Sequence, residues 1–121
     1  MKVSVKVTKA FKTASKPLFK RYPSLSADLN KLEKQLQLNP KLGTPLGNNA
    51  YKIRLKITSK GKGKSGGARV ISLLETTLII ELRGSNEEII VNLIYIFDKS
   101  DTATITDKEL RDLIAAFHKN K

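Results

Sequence analysis

Between Ile89 and Phe97 the chain reads IIVNLIYIF, apolar at nearly every position. A strand with one face in water alternates apolar and polar residues, so a run of this kind requires cover on both sides and belongs in the middle of a sheet. The remaining sequence has to supply that cover. Apolar residues make up 40% of the 121 positions and recur in short bounded runs, the composition of a globular protein and the size of one domain, 1–121.

Val3, Val5 and Val7 alternate with Lys2, Ser4, Lys6 and Thr8, the period of a half-exposed strand whose lysines suit a sheet edge. Lys9 to Tyr22 favours helix, with Phe11, Ala14, Leu18 and Phe19 near one side and Pro17 either kinking it or starting a new one. Ser24 to Leu38 is the clearest helix: Leu25, Leu29, Leu32 and Leu36 form one stripe, and Asn39-Pro40 ends it. Residues 39–49 read as a loop. Tyr51, Ile53, Leu55 and Ile57 then alternate with Lys52, Arg54 and Lys56, so a strand here turns one face to the core and carries a row of cations on the other. Ala68 to Arg83 and Glu88 to Phe97 read as a long hairpin through Gly84-Ser85-Asn86, with an irregularity, or a break into shorter strands, at Glu75-Thr76-Thr77. Thr106 with Glu109 makes a capping box and Ile105 with Leu110 a hydrophobic staple, opening a C-terminal helix to about His118. The sum is an α+β fold: a small, mainly antiparallel twisted sheet with two N-terminal helices packed on it and a helix at the C-terminus.

Charge narrows the function. The net charge is +12. It is placed unevenly, since residues 1–64 hold 16 Lys/Arg against 2 Asp/Glu and residues 65–121 hold 7 against 9. Such a field draws polyanions and speeds their encounter at low salt. The loop Ser59–Gly67, SKGKGKSGG, adds Lys60, Lys62 and Lys64 between the cationic strand and Arg69. If those two strands pair, Lys52, Arg54, Arg69 and the loop lysines converge on one face, and the glycines let backbone approach a ligand.

Other chemistries find little here. The loop lacks the GxxxxGK[ST] spacing of a Walker A motif. His118 is the single histidine and there is no cysteine, so neither a zinc site nor Cys-His catalysis has its ligands, and no metal or other cofactor is expected. Asp98 and Asp101, on either side of Lys99, read as solvated turn residues. Ser65 and His118 are not placed together by any nucleophile-elbow motif. No run reaches the ~18 apolar residues of a membrane span. The N-terminus lacks the apolar stretch of a secretory signal, and without cysteines a cytoplasmic location is expected.

The succession YKIR at 51–54, GKGKSGGARVI at 61–71, and IYIFDKSD at 94–101 before a helix opening TDKEL resembles the RelE/HigB-type toxins of bacterial toxin-antitoxin modules. With the helical pair ending at Asn39-Pro40, the likeness spans nearly the whole chain. KSGGARVI is its most specific part. The resemblance implies a small α+β ribonuclease that cleaves messenger RNA on the ribosome without metal and is silenced by a cognate antitoxin protein. It implies that Lys52 and Arg54 act on the attacking 2′-hydroxyl and the phosphate, that Arg69 holds the scissile phosphate, and that Lys99 is a further basic position. Lys60, Lys62 and Lys64 have no fixed counterpart in the family, and with Lys56, Tyr95 and His118 they are expected to contact RNA or the ribosome. No aromatic acid follows Lys99 as in some members, which leaves Tyr95 and His118 as the nearby candidates. A second departure is extra sequence around residues 75–87. A non-catalytic RNA-binding or ribosome-binding protein of the same fold, and a gyrase inhibitor like the ParE branch, are the alternatives.

Overall fold

The Ile89–Phe97 run lies inside the sheet, as its composition requires. The computed structural model describes residues 2–61, 63–82 and 84–120. In chain order they form β1 (Lys2–Val7), α1 (Lys9–Arg21), α2 (Leu25–Leu38), β2 (Thr44–Gly47), β3 (Ala50–Leu55), a 3-10 turn (Thr58–Lys60), the single helical turn α3 (Gly63–Gly66), β4 (Ala68–Glu81), β5 (Gly84–Asp98) and α4 (Asp107–Lys119). The strands make one five-stranded sheet in the order β1-β5-β4-β3-β2. Every neighbouring pair is antiparallel except β1 with β5, which is parallel. Among the described residues no helix is long and apolar enough to cross a membrane.

Alternation along the strands divides the core in two. On one face Ile53, Leu55, Val70, Val91 and Ile96 pack with Phe11 and Leu18 of α1 and with Leu25, Leu32 and Leu36 of α2. On the other, Ile71, Leu73, Ile94 and Phe97 pack with Leu110, Leu113 and Phe117 of α4. β5 is therefore covered on both sides. Thr106 accepts a hydrogen bond from Glu109 N and Glu109 accepts one from Thr106 N, each at 3.1 Å, so the capping box forms as the sequence predicts.

Several expectations change. Residues 39–49 are not all loop: Thr44 and Pro45 pair with Lys52 and Tyr51 as a short edge strand. Asn48 and Asn49, at φ 54° and 65°, form the left-handed turn that a tight two-residue hairpin needs. The glycine-lysine loop is largely helical in its turns. Helix α1 continues through Pro17, because Phe11, Ser15 and Leu18 bury both of its halves and packing outweighs the lost backbone bond. The irregularity in the hairpin sits at Ile71/Ser72, not at 75–77. There β5 carries one extra residue, so Ile94 and Tyr95 both reach the α4 side. Finally, β4 turns into β5 after Glu81, with Gly84 already in the strand. Beyond Leu73 on one edge and Glu88 on the other, this hairpin runs past its neighbours as a two-stranded arm.

Candidate polyanion-binding site

The cationic row on β3 arises from the same alternation that buries Ile53 and Leu55. Its neighbour β4 is set in antiparallel register so that Arg54 stands directly opposite Arg69, with Lys52 opposite Ile71. Directly paired residues point to the same side of a sheet, with α-carbons about 5 Å apart. Arg69 in turn pairs with Phe97 of β5, which places all of these side chains on the α4 side. The expected convergence of Lys52, Arg54 and Arg69 on adjoining strands is present.

Arg69 is 6% exposed, and its Nη1 donates to the Ala68 carbonyl at 3.1 Å. Burial lowers its pKa from the usual arginine value, and the charge of Arg54 lowers it further. Two like charges set opposite each other across a strand pair repel. An anionic oxygen between them reverses the sign of that interaction, and guanidinium forks suit the paired oxygens of a phosphate. Among the described residues no carboxylate lies within ion-pairing distance of Lys52 or Arg54. A salt-bridged sheet face is thus not what these two residues form.

Lys60 does not join them. Its ammonium, with the side chain 8% exposed, donates to Asp98 Oδ1 at 2.6 Å and to the Gly67 carbonyl at 3.2 Å. Asp98 is no solvated turn residue either: its side chain is fully buried, and it also accepts from Arg21 Nη1 at 2.7 Å, Tyr22 Oη at 2.6 Å and Ser100 N at 2.9 Å. Burial opposes the ionised form, but the hydrogen bonds from Lys60, Tyr22, Ser100 and Arg21 prevail and hold Asp98 well below the usual carboxylate range. Lys60 and Arg21 both lie over the Tyr22 ring, at 5.6 and 5.9 Å from its centroid. This cluster ties α1, the 3-10 turn and the end of β5 to the residue two before Arg69. Lys99 N also donates to the Gly67 carbonyl, at 3.1 Å. A Cβ added at Gly67 would collide with the Leu55 carbonyl oxygen, so only glycine lets β3 and the start of β4 approach this closely. Arg21, Tyr22 and Asp98 carry no local signal for this role, because Asp98 lies 38 positions from Lys60 and 77 from Arg21 in the chain.

The other expected residues scatter. Lys56 lies past the end of β3, bordering a hollow with Arg54 and with Asp28, Lys31 and Gln35 of α2. Lys62 and the side chain of Lys64 lie outside the described residues. Lys99 donates to the Ala103 carbonyl at 2.7 Å and is held by its own loop. Tyr95 shares the face of Arg69 but packs beneath the start of α4 with Ile105, Glu109 and Leu113, its ring 6.4 Å from that of Phe97. His118 is exposed in the last turn of α4, edge-on to Phe117 at 5.4 Å. That helix end lines a cavity with Thr8, Lys9 and Ala10, on the β1 side of the sheet and away from Arg54 on β3.

No protein-family model matches the chain, and no solved structure gives a significant match to it.

Proposed function

We propose that the chain is a RelE/HigB-type toxin, a metal-independent endoribonuclease acting on messenger RNA at the ribosome. What carries the reading is the juxtaposition of Arg54 and Arg69 across β3 and β4, with Lys52 on the same face. The sequence resemblance in YKIR and KSGGARVI supports it at the same residues.

In this mechanism the 2′-oxygen of the nucleotide before the break forms a bond to phosphorus as the bond from phosphorus to the 5′-oxygen of the next nucleotide breaks. The products are a 2′,3′-cyclic phosphate and a 5′-hydroxyl. Lys52, beside the attacking oxygen, takes the 2′-proton as the neutral amine and becomes an ammonium. Arg54 and Arg69 stabilise the charge that builds on the non-bridging oxygens, and such preplaced groups are each worth on the order of 10²–10³ in rate. Lys99 lies near a further basic position of the family, though here its ammonium is held by the Ala103 carbonyl. The leaving 5′-oxygen takes its proton from water, since Tyr95 packs under α4 and His118 lies in the last turn of that helix.

The test is a brief induced pulse followed by mapping of RNA 5′ ends. Wild type should arrest growth and leave new ends in translated messages, with or without chelator in a purified system. Arg69→Ala and Lys52→Ala should do neither, and unchanged cleavage in both variants overturns the proposal. The remote His118 and the packed Tyr95 favour a second reading, an RNA-binding or ribosome-binding protein without catalysis. Salt-sensitive RNA affinity with no new ends identifies that case. Inhibition of gyrase in a supercoiling assay would instead identify the ParE-like activity. A cognate antitoxin belongs to the proposal and should co-purify from cells expressing both genes.

A further inference from the structure

The exposed side of α1 carries a second cationic surface that the proposed site does not use. Lys9, Lys12, Lys16 and Lys20 are all exposed, whereas Phe11, Ser15 and Leu18 are buried. At ~100° per residue the four lysines fall within an arc of roughly 80°, opposite the buried side, and they span ~16 Å of helix. Among the described residues none of the four is within ion-pairing distance of a carboxylate.

As a stabilising device this arrangement is backwards. Like charges at i,i+3 and i,i+4 repel along a helix. Lys9 and Lys12 also sit at the positive end of the helix dipole, in a first turn without an acidic residue. In the same chain α4 follows the favourable rule: Asp107 and Glu109 in its first turn, His118 and Lys119 in its last, and Lys108 paired with Asp112 at 3.0 Å. Lys20, in the last turn of α1, is favourably placed for the dipole, but Lys9 and Lys12 oppose it and the four lysines repel one another along the face. A ligand dense in negative charge removes that cost.

We infer that α1 docks the phosphate backbone of double-helical RNA, as a site separate from the one that cleaves. The choice of RNA over another polyanion rests on the proposed ribonuclease reading. It is supported by the stripe itself, where Thr13 lies among the lysines and Phe19, at the margin, is the one large apolar side chain. A protein partner would need an apolar centre to bury, whereas phosphate contacts need only the charges. α1 covers the sheet face opposite Arg54 and Arg69. One short single strand cannot serve both, so the duplex must be a second segment of a large RNA.

The experiment compares wild type with K9Q/K12Q/K16Q/K20Q in binding to a blunt RNA duplex, to poly-glutamate, and in cleavage of message on ribosomes. The variant should bind the duplex about tenfold more weakly or worse, with a log–log salt slope shallower by about 3, given ~0.9 per phosphate on a duplex. Its thermal midpoint should equal or exceed that of wild type, since like charges are removed. Loss of duplex binding in the variant supports the inference even if no RNA is cleaved by either protein, an outcome that sinks only the nuclease reading. Equal duplex affinity and slope in the two proteins overturns it. So does wild type that ignores the duplex yet binds poly-glutamate through these lysines, because the surface then serves an acidic protein.

Discussion

Replacing Asp98 by alanine leaves the Lys60 ammonium buried against an empty space, and removing one partner of a buried pair costs about 3–5 kcal/mol. A loss of that size should appear as a lower midpoint in urea, and a change within experimental error would show that the cluster contributes little. The sign of the pH dependence follows from its depressed pKa. Asp98 holds its proton less tightly folded than unfolded, so its stabilisation is complete above the unfolded carboxylate value near 4 and is lost as pH falls through the lower folded value. Asp28 acts in the same direction: burial opposes its charge, but hydrogen bonds from Thr58 and Ser24 more than compensate. Asp98→Asn should therefore flatten the acid limb of the stability curve below about pH 4. An unchanged limb would contradict the assignment. Gly67→Ala forces a Cβ onto the Leu55 carbonyl and should cost about 1–3 kcal/mol while displacing Arg69.

At the level of elements, α2 and α4 divide their stability differently. Leu32→Ala, in the stripe between α2 and the sheet, should cost about 2–5 kcal/mol, whereas Leu38→Ala, at a position 91% exposed, should stay within about 0.5 kcal/mol. Thr106→Ala removes the cap of α4 and should cost about 1 kcal/mol. Chemical unfolding of the three variants checks all of this. The elements readable in the sequence were those with a period or a cap: the leucines of α2, the alternation of β3, and Thr106 with Glu109. β2 was not readable, because four residues containing Pro45 and Gly47 carry no period, and only the Asn48-Asn49 turn betrays the hairpin. The Ile71/Ser72 irregularity was hidden for another reason: an extra residue within an all-apolar strand leaves no break in the pattern. The site divided along the same line. Local alternation placed Lys52 and Arg54, and pairing placed Arg69, but the withdrawal of Lys60 depends on an aspartate far along the chain.

The whole molecule is a sheet with cations on both of its covered faces, α1 lysines on one side and the arginine pair on the other. The acidic second half partly serves structure, with Asp98 as the anchor of the loop before Arg69. Toward its tip, past Thr77 and Glu88, the arm exposes Leu78, Ile80 and Leu82, none of which belongs to either core. Leu78→Lys with Ile80→Lys should therefore leave the unfolding midpoint unchanged and slow aggregation; a lower midpoint would show that the arm is packed after all. The central claim is that Arg54 and Arg69 grip one phosphodiester. Single-turnover cleavage of a ribosome-bound message tests it most directly, using Arg54→Ala, Arg69→Lys and the double variant. Each single change should slow cleavage by on the order of 10²–10³, and the double should lose far less than the product, as groups acting on one transition state do. Rates within a few-fold of wild type for correctly folded single variants would contradict it.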